Sequence, residues 1–308
     1  MLEIEKNFFI SDDDVKVFYS KYYKKNKLPK MIVQISHGMK EYIDKYDRLA
    51  RFLAKKDIFV YGNDHRGHGL TGMINESFGV FSETNGLEKA IRDLKRMRDL
   101  IGKDYPNTKV VMISHSMGSI LARCYIQYFS NDFDGVLLMG SIDTAGAFEN
   151  ILSLFASNIN FMFGPTKSST TLNDICELTF SKPFDENNKY SWISRDQKTI
   201  KQIYQDNPLC EYEYTNSFFE DLSRAVLHCS NQNFNKRIRK DLPILFLSGN
   251  KDIVGNFGKG IKNSVLLYKE CGLKNVKYKL YKNARHELLN EFNKKEVYDD
   301  IYSFLKRI

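Results

Sequence analysis

The chain has 308 residues and a formal net charge of +8, from 46 Lys and Arg against 38 Asp and Glu. Hydrophobic residues at 42% and charged residues at 27% describe a globular protein with enough apolar mass for a large core, which excludes an intrinsically disordered chain. No run approaches the roughly 20 apolar residues of a membrane-spanning helix. The acidic opening Met1-Leu2-Glu3-Ile4-Glu5 lacks the basic and apolar regions of a signal peptide, so a cytoplasmic location is expected.

The five cysteines (Cys124, Cys176, Cys210, Cys229, Cys271) are odd in number and form no C-x-x-C pair. That spacing argues against a disulfide framework and against a Cys-based zinc site. The densest basic cluster, Lys236, Arg237, Arg239 and Lys240, carries no nucleic-acid-binding signature. Nucleic acid is therefore not an expected partner, and weak peripheral contact with anionic lipid is all that the charge supports.

In chain order, Phe8–Ile10 and Val15–Tyr19 flank Ser11-Asp12-Asp13-Asp14 and predict an antiparallel hairpin at a sheet edge. Short apolar runs follow at Met31–Ile35, Ile58–Tyr61, Val110–Ile113, Val136–Met139, Ile244–Leu247 and Val276–Tyr281, most of them strands buried on both faces. Helical spacing separates them: Tyr46, Leu49, Ala50 and Leu53; then Leu87, Ile91, Leu94, Met97 and Ile101; and at the end Val297, Ile301, Phe304 and Leu305. This alternation predicts an α/β fold with a mostly parallel central sheet flanked by helices. It breaks after residue 145 and resumes near 241. The block 146–240 is too long for a loop and is expected to be an inserted helical cap on a core formed by 1–145 and 241–308.

The chemistry centres on Ile113-Ser114-His115-Ser116-Met117-Gly118, where a buried strand runs straight into a helix pattern (Ile120, Leu121, Cys124, Tyr125, Tyr128). That context makes a nucleophile elbow, a sharp turn that lifts Ser116 above the sheet and requires small neighbours two positions away. A serine needs a base and a group that orients the base. Of the six histidines, His286 follows the last strand, so its loop opens at the same sheet edge as the elbow. Asp252 follows the Ile244–Leu247 strand, and Asp143, after the Val136–Met139 strand, is the alternative acid. The order Ser116, Asp252, His286 is that of an α/β-hydrolase triad.

An oxyanion needs two backbone donors. The N–H of Met117 follows the nucleophile, and Ser36-His37-Gly38-Met39 supplies the N–H of Met39, with His37 holding the turn. Asn63-Asp64-His65-Arg66-Gly67-His68-Gly69 contains a His-x-x-His pair, but no further ligand follows at metal-site spacing. It reads better as a loop in which Asp and Arg lock the rim of the site.

Together His37-Gly38-Met39-x-Glu41, Asp64-x-Arg66-Gly67-His68-Gly69, His115-Ser116-Met117-Gly118, Gly249-x-x-Asp252 and His286-Glu287 resemble the α/β-hydrolases of the monoacylglycerol lipase, lysophospholipase and serine-aminopeptidase-like group. The resemblance covers roughly residues 8–145 and 241–308. It implies Ser116 as nucleophile, Asp252 as acid, His286 as base and Met39 with Met117 as oxyanion hole, with neither cofactor nor metal. Ser114 and Ser119 depart from glycines common around the elbow, and Ile253 stands where proline often follows the acid.

The expected activity is a serine esterase that cleaves esters of a single acyl chain, of the monoacylglycerol or lysophospholipid type, with water as the second substrate. Phe148, Ile151 and Phe155 at the start of the cap are candidates for the acyl pocket. The same triad serves peptidases, amidases and acyltransferases, and a non-catalytic binding protein on the same fold is the remaining alternative.

Overall fold

The computed structural model describes residues 1–142, 160, 162–185, 188–205 and 207–308. The eight strands are β1 Leu2–Ile10, β2 Lys16–Lys24, β3 Met31–Ser36, β4 Ile58–Asn63, β5 Val110–His115, β6 Gly135–Met139, β7 Ile244–Gly249 and β8 Val276–Tyr281. They form one sheet in the order β1-β2-β4-β3-β5-β6-β7-β8. β2 runs antiparallel to both of its neighbours, and the remaining pairings, from β4 to β8, are parallel. The strand expectations hold, and the hairpin is longer than the sequence suggested, pairing Leu2 with Lys24 at its far end.

The helices are α1 Asp47–Ala54, α2 Gly69–Ile74, α3 Gly86–Asp104, α4 Met117–Phe129, α5 Thr170–Ser181, α6 Gln197–Tyr204, α7 Asn216–Ser230, α8 Gln232–Asn235, α9 Lys259–Glu270 and α10 Lys294–Leu305. A 3-10 turn at Ile43–Tyr46 leads into α1. Period-two alternation in the strands decides which helix packs where. Ile32, Val110, Met112, Val136 and Leu138 face α3, α4, α7 and α9. Val33, Ile35, Val111, Ile113 and Leu137 face α1 and α10 on the opposite side. Because both faces are covered, β3, β5 and β6 are mostly apolar, which is why they read as apolar runs. The exception inside β3, Gln34, is buried and donates to the Leu94 carbonyl.

β8 departs from that pattern. It is an edge strand, and four of its six residues are at least partly exposed. The described residues of 160–240 are largely helical. α7 packs on α3 and α4, with Phe218 and Phe219 in the same core cluster as Leu121 and Tyr125. The parallel strands bring the loops after β3, β5, β7 and β8 to one edge of the sheet, and the candidate residues meet there.

Candidate active site

β5 ends at His115 and α4 begins at Met117, leaving Ser116 alone in the turn with φ 51° and ψ −121°. A non-glycine residue in that conformation is strained, at a cost on the order of 1–3 kcal/mol. The strain is held by neighbours. Ser116 N–H donates to the Met139 carbonyl at 3.0 Å, and the Ser116 carbonyl accepts from Ser119 Oγ at 2.7 Å. Gly118 has no alternative: a Cβ there would stand 2.1 Å from the Ser36 carbonyl oxygen. The two serines that replace glycines are accommodated as hydrogen-bond donors, Ser119 as above and Ser114 to the Leu137 carbonyl at 3.3 Å.

His286 Nδ1 lies 3.0 Å from Asp252 Oδ1. Oδ1 also accepts from Val254 N–H at 3.0 Å, and Oδ2 accepts from Ser248 Oγ at 3.2 Å. Asp252 is fully buried and His286 is 3% exposed. With Nδ1 taken by the carboxylate, Nε2 is the nitrogen left for the cavity. The His286 ring packs on Trp192, with centroids 5.0 Å apart, and on His115 at 4.8 Å. Gly140, at φ 53°, makes room for it, since a Cβ there would lie 3.0 Å from His286 Cε1.

The Met39 N–H is oriented by the other end of its own peptide group. His37 Nδ1 lies 2.8 Å from the Gly38 carbonyl oxygen, and His65 N–H donates to His37 Nε2 at 2.9 Å. His37 is thereby neutral with its proton on Nδ1, and burial lowers its pKa to about 4. In a trans peptide the N–H points opposite to the carbonyl, so anchoring Gly38 C=O on His37 turns Met39 N–H the other way. Met117 N–H is the first donor of α4, where helix geometry leaves it unpaired. Met39, Met117, Ser116 and His286 line a single cavity of about 920 Å³, within the range of small-molecule sites.

The cavity lining includes the apolar side chains of Ile120, Phe219, Leu222, Val226 and Val254, and it also includes the charged residues Lys40, Asp174, Glu177, Lys189 and Glu211. Phe148, Ile151 and Phe155, the expected acyl-pocket residues, and the alternative acid Asp143 lie outside the described residues. Among the described residues, much of the apolar lining comes from α7, whose Phe219, Leu222 and Val226 are spaced at helical intervals. That stripe was present in the sequence but was not singled out.

The His-x-x-His pair is occupied by other partners. His65 Nε2 is 3.0 Å from Ser36 Oγ, and His68 lies between the Arg66 carbonyl at 2.7 Å and Tyr214 OH at 3.0 Å. Burial lowers the pKa of both, that of His68 to about 3. Among the described residues no group of three or more His, Cys, Asp or Glu is arranged to hold a metal. Arg66 bridges Asp93 at 2.5 Å and Asp13 at 2.5 Å. Its hydrogen bond holds the Asp13 carboxyl well below the usual range. Asp64 accepts the N–H groups of Ile43 and Leu70, both at 2.7 Å, while burial pushes its carboxyl up to about 7. The loop is locked by charge-assisted bonds, as the sequence suggested.

Sequence reasoning missed the buried polar cluster beside the site. Glu41 accepts from Gly38 N–H at 2.7 Å and Tyr46 OH at 2.6 Å, and its Oε1 lies 3.0 Å from His115 Nδ1. Lys45 Nζ lies 3.6 Å from Glu41 and 3.2 Å from Glu287. Tyr204, at the end of α6, donates to Glu287 and covers the Lys45 ammonium with its ring. The motifs contained Glu41 and Glu287; the i,i+4 spacing of Glu41 and Lys45 was a local signal that went unused, and nothing local pairs Glu287 with Lys45 or Tyr204.

The family model described as serine aminopeptidase, S33, matches residues 27–293. A monoglyceride lipase homolog of Monkeypox virus is 28% identical over 93% of this chain and 93% of its own. The human monoglyceride lipase is 27% identical over 90% of this chain and 82% of its own. Among solved structures, a thermostable carboxyl esterase from Bacillus coagulans in complex with glycerol superposes with a TM-score of 0.92 at 21% identity. The match covers 100% of this chain and 99% of that one, and at that identity it speaks for the α/β-hydrolase fold.

Proposed function

Because the chain belongs to the serine aminopeptidase S33 family of hydrolases, we propose that Ser116, His286 and Asp252 form its catalytic triad and act through an acyl-enzyme. It is a carboxylic ester hydrolase of the monoacylglycerol-lipase type, and we assign its substrates to esters bearing a single acyl chain, monoacylglycerols or lysophospholipids. The observation that carries this reading is the strained turn at Ser116, opening into the same cavity as a histidine whose Nδ1 is bound to a buried carboxylate.

Ser116 Oγ attacks the ester carbonyl while His286 Nε2 takes its proton. The carbonyl oxygen becomes an oxyanion received by the N–H groups of Met39 and Met117, each such donor being worth about 10²–10³ in turnover. Collapse breaks the ester C–O bond, and His286 returns the proton to the departing alcohol. Water then attacks the acyl-enzyme by the same route and releases the fatty acid. Asp252 stays ionised and holds the imidazole with its proton on Nδ1. The apolar lining contributed by α7 suits an alkyl chain, and we assign residues 146–240 to an inserted cap.

The carboxylates Asp174, Glu177 and Glu211 in the cavity lining favour a second reading, hydrolysis of amides that carry a free amine. Rates on 1-monooleoylglycerol, 1-oleoyl-lysophosphatidylcholine and amino-acid arylamides separate the two. The ester reading expects kcat/KM on one of the lipids to exceed that on the arylamides by at least about 10²-fold, the scale of discrimination a hydrophobic pocket provides. The reverse order would assign a peptidase.

A further inference from the structure

We propose that Glu41 is a positioning residue whose one carboxylate fixes the oxyanion loop and, through His115, the loop that carries the catalytic base. The proposal rests on the triad assignment above and concerns how its parts are held in register.

Glu41 contacts the oxyanion loop directly and reaches the loop of the base through His115. Its Oε2 accepts Gly38 N–H at 2.7 Å. The Gly38 residue is thus pinned on both sides, by Glu41 at its N–H and by His37 at its carbonyl, and the next donor along the chain is Met39 N–H. Its Oε1 binds His115 Nδ1 at 3.0 Å, and His115 Nε2 faces the His286 carbonyl oxygen at 3.4 Å. The His115 ring also packs on the His286 ring. His115 is the last residue before the nucleophile, and Glu287 is the first after the base. Every connection of the cluster therefore ends one or two residues from a reacting group.

Charge balance supports the same role. Glu41 and Glu287 contribute two negative charges and Lys45 one positive charge, so the cluster is neutral only with His115 as imidazolium. Both ring nitrogens of His115 face acceptors, and a neutral imidazole has only one N–H to give. The groups around His115 are Glu41, Glu287, Lys45, His37 and His286. Burial works against its charge, and Glu41 outweighs that to raise its pKa. Burial also opposes ionisation of Glu41, but the charges of His115 and Lys45 hold its carboxyl well below the ordinary range.

Burying four charged groups is a poor way to gain stability, because well-packed apolar side chains commonly do as well or better. What the cluster supplies is fixed geometry, with Gly38, His115 and His286 tied to one carboxylate. A misplacement of about 1 Å among such groups costs on the order of 10²-fold in turnover.

The test compares wild type with Glu41→Gln and Tyr46→Phe, using a soluble p-nitrophenyl ester and a fluorophosphonate that labels the active serine. Glu41→Gln keeps the size of the side chain and removes its charge, and Tyr46→Phe removes the hydroxyl that donates to Glu41 at 2.6 Å and also meets the Gly38 backbone. The expected result for Glu41→Gln is a kcat lower by about 10- to 100-fold with KM little changed. For Tyr46→Phe it is a kcat loss of about 3- to 10-fold, the scale of one hydrogen bond.

Labelling of both variants should still reach one adduct per chain, at a rate reduced in proportion to kcat. A damaged fold would instead lower the stoichiometry of labelling. If Glu41→Gln does not fold, Tyr46→Phe alone decides. Unchanged kcat and labelling rate in the folded variants, with wild type labelled at Ser116, would overturn the positioning role alone. Failure of wild type to label would overturn the triad assignment and this proposal together.

Discussion

Ser116→Ala lowers kcat for a soluble p-nitrophenyl ester by about 10⁴- to 10⁶-fold, the loss expected when the attacking atom of a serine triad is removed. The fold should survive the change. Ala requires no more room than Ser at φ 51°, and the Met139 and Ser119 contacts that hold the turn use the backbone of residue 116. Loss of activity with an unchanged melting transition is therefore the expected pair of results. A variant that keeps more than about a tenth of wild-type turnover, far above the residual rate such knock-outs leave, would remove Ser116 from the mechanism.

Asp252→Ala costs about 10⁴-fold in kcat, because the imidazole loses both its orientation and the charge that stabilises it once protonated. Asp252→Asn should lose less, and the structure gives the reason. Val254 N–H also points at Oδ1, so the amide oxygen is best placed there, where it still accepts from His286 Nδ1. The amide NH₂ then meets Ser248 Oγ, a hydroxyl able to act as acceptor. The useful tautomer is retained and only the negative charge is lost. Asp143→Asn, at the alternative acid, should leave turnover unchanged. Steady-state kinetics of the three variants check the assignment, and equal losses for Ala and Asn would contradict the hydrogen-bond argument.

The parts of this molecule that were legible in the sequence have local causes. β3, β5 and β6 are covered on both faces, so their apolar runs could not be mistaken for amphipathic strands. The elbow was legible because Gly118 lies against the Ser36 and His37 carbonyls and admits no side chain. Asp252 and His286 were legible because parallel strands place the loops that follow them at one edge. The first half of β1 was missed because its apolar alternation is only two residues long: Leu2 and Ile4 pack on the core while only partly buried, and Lys6 and Asn7 that follow are exposed.

What the sequence could not show depends on contacts between distant segments. Trp192, the only tryptophan of the chain, packs on the base from a stretch with no regular pattern. Tyr204 reaches Glu287 from α6, and Tyr214 binds both His68 and the backbone of Lys40. The net charge of +8, which first suggested an anionic partner, plays no part in the catalytic geometry. The groups that matter are buried side chains, Glu41, Lys45 and Glu287 around His115, drawn from three separate segments.

Covalent mapping of the nucleophile tests the central claim most directly. Wild-type protein is treated with a fluorophosphonate, its intact mass is measured, and the modified peptide is sequenced by mass spectrometry. The triad assignment predicts one adduct per chain, on Ser116, and none in Ser116→Ala. A folded wild-type chain that takes up no label, or an adduct on any other residue, would contradict it.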